Sequence, residues 1–110
     1  MAVKANILID QGTDYSTTIY VSDENDVAID VTGYTFTAKA RKHYTSNTVY
    51  SFTMTITDAV DGEVTMSMNA ATTADISAGR YVYDAEMVDT ANLTTRLVEG
   101  LLTVTPQVTR

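Results

Sequence analysis

The sequence predicts an all-β fold, an antiparallel sandwich of about seven strands, and three observations predict it. Side chains alternate between apolar and polar with period two along most of the chain, as in strands with one face on a core. Turn signals interrupt the alternation every ~10 to 15 residues, a spacing that favours a sandwich, with a closed barrel as the alternative. Twenty threonines and seven tyrosines tilt the composition towards strand, because β-branched and aromatic side chains suit a pleated surface. The one proline, Pro106, interrupts nothing before it.

The clearest run is Asp61 to Asp89. Gly62 opens a strand in which Val64, Met66 and Met68 share one face, with Thr65 and Ser67 on the other. Gly79 opens a second, with Tyr81, Tyr83, Ala85 and Met87 on one face and Asp84 and Glu86 opposite. The segment between them is too short and polar for a packed helix. It predicts one or two helical turns near 70–76, crossing between sheets, with Asn69 as N-cap for a free backbone N–H. Tyr81, just after this crossover, is placed for a tyrosine corner, its hydroxyl returned to nearby backbone. Simple core packing of the ring is the alternative.

The other elements follow in order. Val3–Ile9 predicts a first strand, with Ala5, Ile7 and Ile9 in phase, and Asp10–Gly12 the break. Tyr15–Ser22 turns Tyr15, Thr17, Ile19 and Val21 inward. SDEND (22–26) is a turn by composition, and Val27–Asp30 adds a short edge strand. Asp30-Val-Thr-Gly33 is a second turn, in which Gly33 is able to take positive φ. Tyr34–Lys42 reads as a central strand with Tyr34, Phe36, Ala38 and Ala40 inward; the two alanines imply a close or bulky neighbour. Thr48–Thr57 brings Tyr50, Phe52, Met54 and Ile56 into phase.

Leu93–Thr105 closes the fold with apolar residues on both faces. With Val98, Leu102 and Val104 in the core, Leu97 and Leu101 are left outside. Either they mark an assembly contact, or a bulge at Gly100 switches the phase. Seven strands then form sheets of three and four, packed about 10 Å apart.

The 110 residues predict one domain, 1–110, with a single core. No apolar run approaches the ~18 residues of a membrane span, and the start lacks a signal-peptide core, so neither membrane insertion nor export is expected. Without cysteine there is no disulfide and no thiolate metal site. A net charge of −7 argues against nucleic acid, which demands clustered Lys and Arg. The one basic cluster, Lys39, Arg41, Lys42 and His43, reads as a solvated strand face and loop.

Catalytic signatures are not visible. His43 is the only histidine and sits in a loop, whereas nucleophilic catalysis needs a base beside the nucleophile. Asp58 with Asp61 falls in a turn, and Asp84 with Glu86 on an outward face. Neither pair has the desolvation that acid catalysis would need. Asp23, Glu24, Asn25 and Asp26 could offer oxygens to calcium, but without the EF-hand spacing a solvated turn is the stronger reading. No enzyme activity and no cofactor are expected.

The residues also carry a resemblance. Asp30-Val-Thr-Gly33 followed by YTFTAKARK (34–42) resembles the opening of small Ig-like modules in bacteriophage tail and baseplate proteins, among them the N-terminal domain of siphophage upper baseplate proteins. Gly62–Met68, Ala70–Ile76, Gly79–Tyr83 and Glu99–Pro106 agree with it, so the likeness runs from about Asp10 to Pro106. Its motifs are turn glycines and strand alternation, a pattern that bacterial surface and adhesion modules share. The resemblance implies an Ig-like sandwich and a non-enzymatic virion structural protein, assembled in the host cytoplasm with copies of itself or other virion proteins. The last strand and Met1–Asn6 are the expected contact regions. The alternative is a carbohydrate- or receptor-binding module, with Tyr15, Tyr20, Tyr44 and Tyr50 as stacking surfaces.

Overall fold

The computed structural model describes residues 3–109. Along the chain run β1 (Val3–Lys4), β2 (Ile7–Asp10), β3 (Tyr15–Tyr20), β4 (Thr35–Arg41), β5 (Val49–Ser51), β6 (Thr53–Asp58), β7 (Glu63–Met68), α1 (Ala70–Ala74), β8 (Gly79–Val88) and β9 (Thr94–Thr105). Two sheets pack into a sandwich. The larger has the order β1-β9-β8-β4-β5, with β2 also beside β9; the smaller has the order β3-β7-β6.

The alternation dictates the layers. Tyr81, Tyr83, Ala85 and Met87 of β8 face Val64, Met66 and Met68 of β7, and all seven are buried. Ala40 lies in register between Tyr50 and Tyr83, so its small side chain leaves room for two phenol rings. Ile9, Ile76, Leu102 and Val104 complete the main core, and Val21, Val31, Val64 and Met87 form a second cluster. Each large aliphatic chain buried this way contributes about 1.5–3 kcal/mol.

The crossover folds as its sequence predicts. Asn69 Oδ1 accepts the Thr72 N–H at 2.9 Å, capping α1. Thr73 is fully buried; its hydroxyl donates to the Thr13 carbonyl at 2.7 Å and accepts the Gly12 N–H at 3.1 Å. The Tyr81 hydroxyl donates to the Ser77 carbonyl at 2.7 Å, forming the tyrosine corner. In the Asp30–Gly33 turn, Asp30 Oδ1 accepts both the Thr32 N–H at 3.0 Å and the Thr32 hydroxyl at 2.6 Å. These bonds hold the Asp30 carboxyl below its ordinary pKa, and Gly33 takes φ +81°.

Four details depart from the expectation. First, Val3–Ile9 is two strands, and both pair with β9 in parallel. Between them Asn6 Oδ1 takes the Leu101 N–H at 3.1 Å in place of a backbone acceptor. The Ala5 carbonyl approaches Gly100 so closely that a Cβ there would lie 2.1 Å from it. Second, Thr48–Thr57 splits into β5 and β6, which belong to different sheets. Phe52 is the joint, with its ring buried and its N–H donating to the Ala38 carbonyl at 3.0 Å. Third, Val27–Asp30 is not a strand; a single bridge joins Ser22 to Ala28. Fourth, the phase of β9 does switch, but at Leu97: Val98 pairs with Ala85 and Arg96 with Glu86. The sheets therefore hold six and three strands rather than four and three.

Candidate assembly site

Four sheet edges end in unpaired backbone, and three carry features that discourage pairing. β5 is three residues long. β6 has a register irregularity between Ile56 and Asp58. The β1–β2 edge is broken at Ala5–Asn6. β3 differs from all of them. It runs six residues without a break, pairs among the described residues only with β7, and contains no charge, proline or glycine.

The direction of its free groups follows from the ladder. The register continues from Tyr20 opposite Glu63 to Val21 opposite Gly62, and the Val21 N–H donates to the Gly62 carbonyl at 2.9 Å. Antiparallel pairs alternate between hydrogen-bonded and non-bonded. Tyr15, Thr17, Ile19 and Val21 therefore bond to β7, whereas Ser16, Thr18 and Tyr20 aim their N–H and C=O groups away from it.

Beside this edge lies a groove of about 380 Å³ between the sheets, lined by Val3, Ile7, Tyr15, Ile19, Val21, Leu97 and Val98 among others. It exists because the N-terminal strands pair with β9. In an Ig constant-type sandwich a first strand lies beside the second in the same sheet; here no described strand takes that place next to β3. Tyr83 secures the far wall, donating its hydroxyl to the Ala5 carbonyl at 2.5 Å. Burial, and then the neighbouring Tyr15, push the Tyr83 phenol up to about 12.

The structure separates the two leucines singled out in β9. Leu97 is the extra residue of the bulge and packs, half-buried, against the second core cluster at the groove wall. Leu101 is 41% exposed on the outer face, opposite Val82. A bulge reverses the facing of side chains beyond it, so the two do not form one patch. Nor is β9 an edge, since it has strands on both sides. Of Met1–Asn6, the first two residues lie outside the described residues, and β1 is exposed.

Among the four candidate stacking tyrosines, Tyr15 and Tyr50 are half-buried in edge-to-face contacts with Phe52 at 6.3 Å and Tyr81 at 5.8 Å. Tyr20 and Tyr44 are 67% and 85% exposed. Tyr44 borders a shallow depression of about 360 Å³ on the outer face of the larger sheet, with Lys39, Arg41, Asp84, Glu86 and Arg96. Arg96 is paired there with Glu99 at 2.9 Å and Asp84 at 3.4 Å, and both carboxylates raise its pKa, Glu99 foremost. Lys42 Nζ sits 4.8 Å from the centre of the Tyr81 ring, a cation–π contact. Asp23 Oδ1 accepts the N–H groups of Asn25 and Val27, so it serves its own turn. No group of three or more potential metal ligands occurs among the described residues.

The strongest site, the β3 edge, was not singled out by sequence reasoning. The signal present was an uncharged six-residue run, but nothing in the run says which strands flank it.

Comparison with known proteins bears on the fold alone. No protein-family profile matches the chain, and no curated protein does. Among solved structures, an internalin-like protein of Listeria monocytogenes is similar at TM-score 0.50 and 19% identity, over 94% of this chain and 28% of that one. The chain thus spans less than a third of that protein's length.

Proposed function

We propose that the chain is a non-catalytic building block of a bacteriophage particle, in tail, baseplate or connector, and that it works by protein–protein contact at the β3 edge. The observation that carries the assembly part is the unprotected β3 backbone beside an apolar groove. A partner strand laid there gains main-chain hydrogen bonds from the edge and side-chain specificity from the groove. The virion part rests on the likeness of the Asp30–Gly33 turn and its following strand to phage tail modules. Quantitative mass spectrometry of purified particles tests it. The chain is expected at a fixed copy number per particle, and Thr18→Pro, which removes an outward N–H, is expected to lower incorporation at least ~10-fold. Absence of the chain from particles would overturn the virion reading.

A second reading is favoured by one observation, the exposed Tyr44 at the rim of a charged depression. Aromatic faces beside carboxylates and guanidinium groups suit a sugar. A glycan array comparing the chain with Tyr44→Ala tests this reading, and no tyrosine-dependent binding would remove it.

A further inference from the structure

We infer that the occupant of the β3 edge is β3 of a second copy of this chain, paired antiparallel about a two-fold axis at Thr18. The inference rests on the assembly reading and names its partner. An occupant has to present an uncharged strand of several residues, free along one side, and among the described edges of this chain β3 alone does so: β5 is uncharged but only three residues long, and β1, β2 and β6 each carry a charged residue. Self-pairing centred on Thr18 also uses every free group. Ser16 meets the partner's Tyr20, Thr18 meets the partner's Thr18, and Tyr20 meets the partner's Ser16. All three residues aim their N–H and C=O groups outward, so the three pairs make about six hydrogen bonds. The two three-stranded sheets become one of six.

The side chains suit the same register. On the outer face, threonine opposite threonine is a favourable cross-strand pair. On the inner face, Thr17 meets the partner's Ile19, and Tyr15 meets the partner's Val21, which extends each groove into the other. The absence of charge selects the strip. Each copy carries a net charge of −7, so two copies repel over most of their surfaces. Between Tyr15 and Ser22 there is no charged side chain, and Asp14 falls opposite the partner's Ser22 rather than another carboxylate. The acidic turn from Asp23 to Asp26 still lies near the ends of the pairing. Added salt therefore strengthens this dimer, whereas it weakens docking of a basic partner. A single strand pairing covers less than the ~800 Å² per partner of a standard interface, so association is weak in solution and gains from high local concentration in an assembly.

Sedimentation and NMR of the whole chain up to about 1 mM, the range of millimolar dissociation constants, test the inference. A dimer is expected that tightens with salt, with the Ser16, Thr18 and Tyr20 amides gaining exchange protection as concentration rises. Thr18→Lys and Thr18→Glu alone each weaken self-association about 5-fold or more, because like charges then oppose each other across the axis. Mixed together, they restore a heterodimer. Thr18 is exposed and its N–H is unpaired in the monomer, so both variants keep the fold, which circular dichroism verifies. A monomer at every concentration and salt, or a dimer indifferent to both Thr18 charges, would overturn the inference. If the chain is monomeric yet Thr18→Pro still lowers incorporation into particles, self-pairing fails and edge assembly stands. If Thr18→Pro changes neither, edge assembly fails as well.

Discussion

The two flanks of the sandwich are closed by different means. On one flank the chain itself crosses between layers. β5 pairs with β4 in the larger sheet, Phe52 turns the backbone through the core, and β6 continues in the smaller sheet. Two strands joined through a single residue, Phe52, cover the seam there. On the other flank, residues 3–10 stay entirely beside β9, and no strand crosses to β3. The first flank is sealed by covalent continuity. The second is crossed by the chain at one end alone, through residues 11–14 between β2 and β3, and along the rest it leaves a groove and a free edge. The lesson is that in a small sandwich one strand's choice of sheet decides whether an edge is buried or offered.

That contrast is open to breakage. The largest expected effect is on the sealed flank: Phe52→Ala removes a buried ring at the crossing and should cost about 3–5 kcal/mol, read by urea denaturation. A proline pair gives a sharper test of the edge. Thr17→Pro removes an N–H bonded to β7, leaves its carbonyl acceptor unpaired, and should cost about 1–3 kcal/mol. Thr18→Pro, one residue along, removes only an outward N–H and should change stability by less than about 0.5 kcal/mol. Equal losses would show that the free side of β3 has been assigned wrongly.

Tyr83→Phe deletes the bond to Ala5 on the open flank and should cost about 1 kcal/mol. The same phenol makes this flank sensitive to base. Its folded pKa is raised, so the folded state holds the proton more tightly than the unfolded chain does. The stabilisation is complete below the unfolded value near 10 and is lost as pH rises towards about 12. Denaturation midpoints should fall over that window, and less so in Tyr83→Phe. The smallest effect is expected at Leu101→Ala, an exposed side chain on the outer face, within about 0.5 kcal/mol.

Local structure was largely legible in the sequence. Alternation placed Val64, Met66, Met68, Tyr81 and Tyr83 inward, and they are buried. Asn69 and Tyr81 were recognisable from side-chain chemistry, because a cap and a tyrosine corner are local devices. Pairing was not legible. A run such as Thr48–Thr57 keeps its period through Phe52 even though the strand changes sheets there, since a buried phenylalanine fits either layer. The two apolar faces of the last strand allow either an assembly contact or a bulge at Gly100, the residue with the most backbone freedom; the bulge lies at Leu97. Gly100 is needed instead for the approach of the Ala5 carbonyl. The β3 edge was hidden for the same reason: an edge is defined by a neighbour that is missing, and alternation reports only what a strand packs beneath itself.

The parallel run of β2 along β9 has a mechanical consequence. The chain enters at one end of this ladder and leaves at the other, both strands pointing the same way. Tension applied between the two ends therefore loads the rungs from Ile7–Leu102 to Asp10–Thr105 together, in shear, instead of unzipping them one at a time. Single-molecule stretching should show one high-force rupture, and a gradual low-force extension would count against that view.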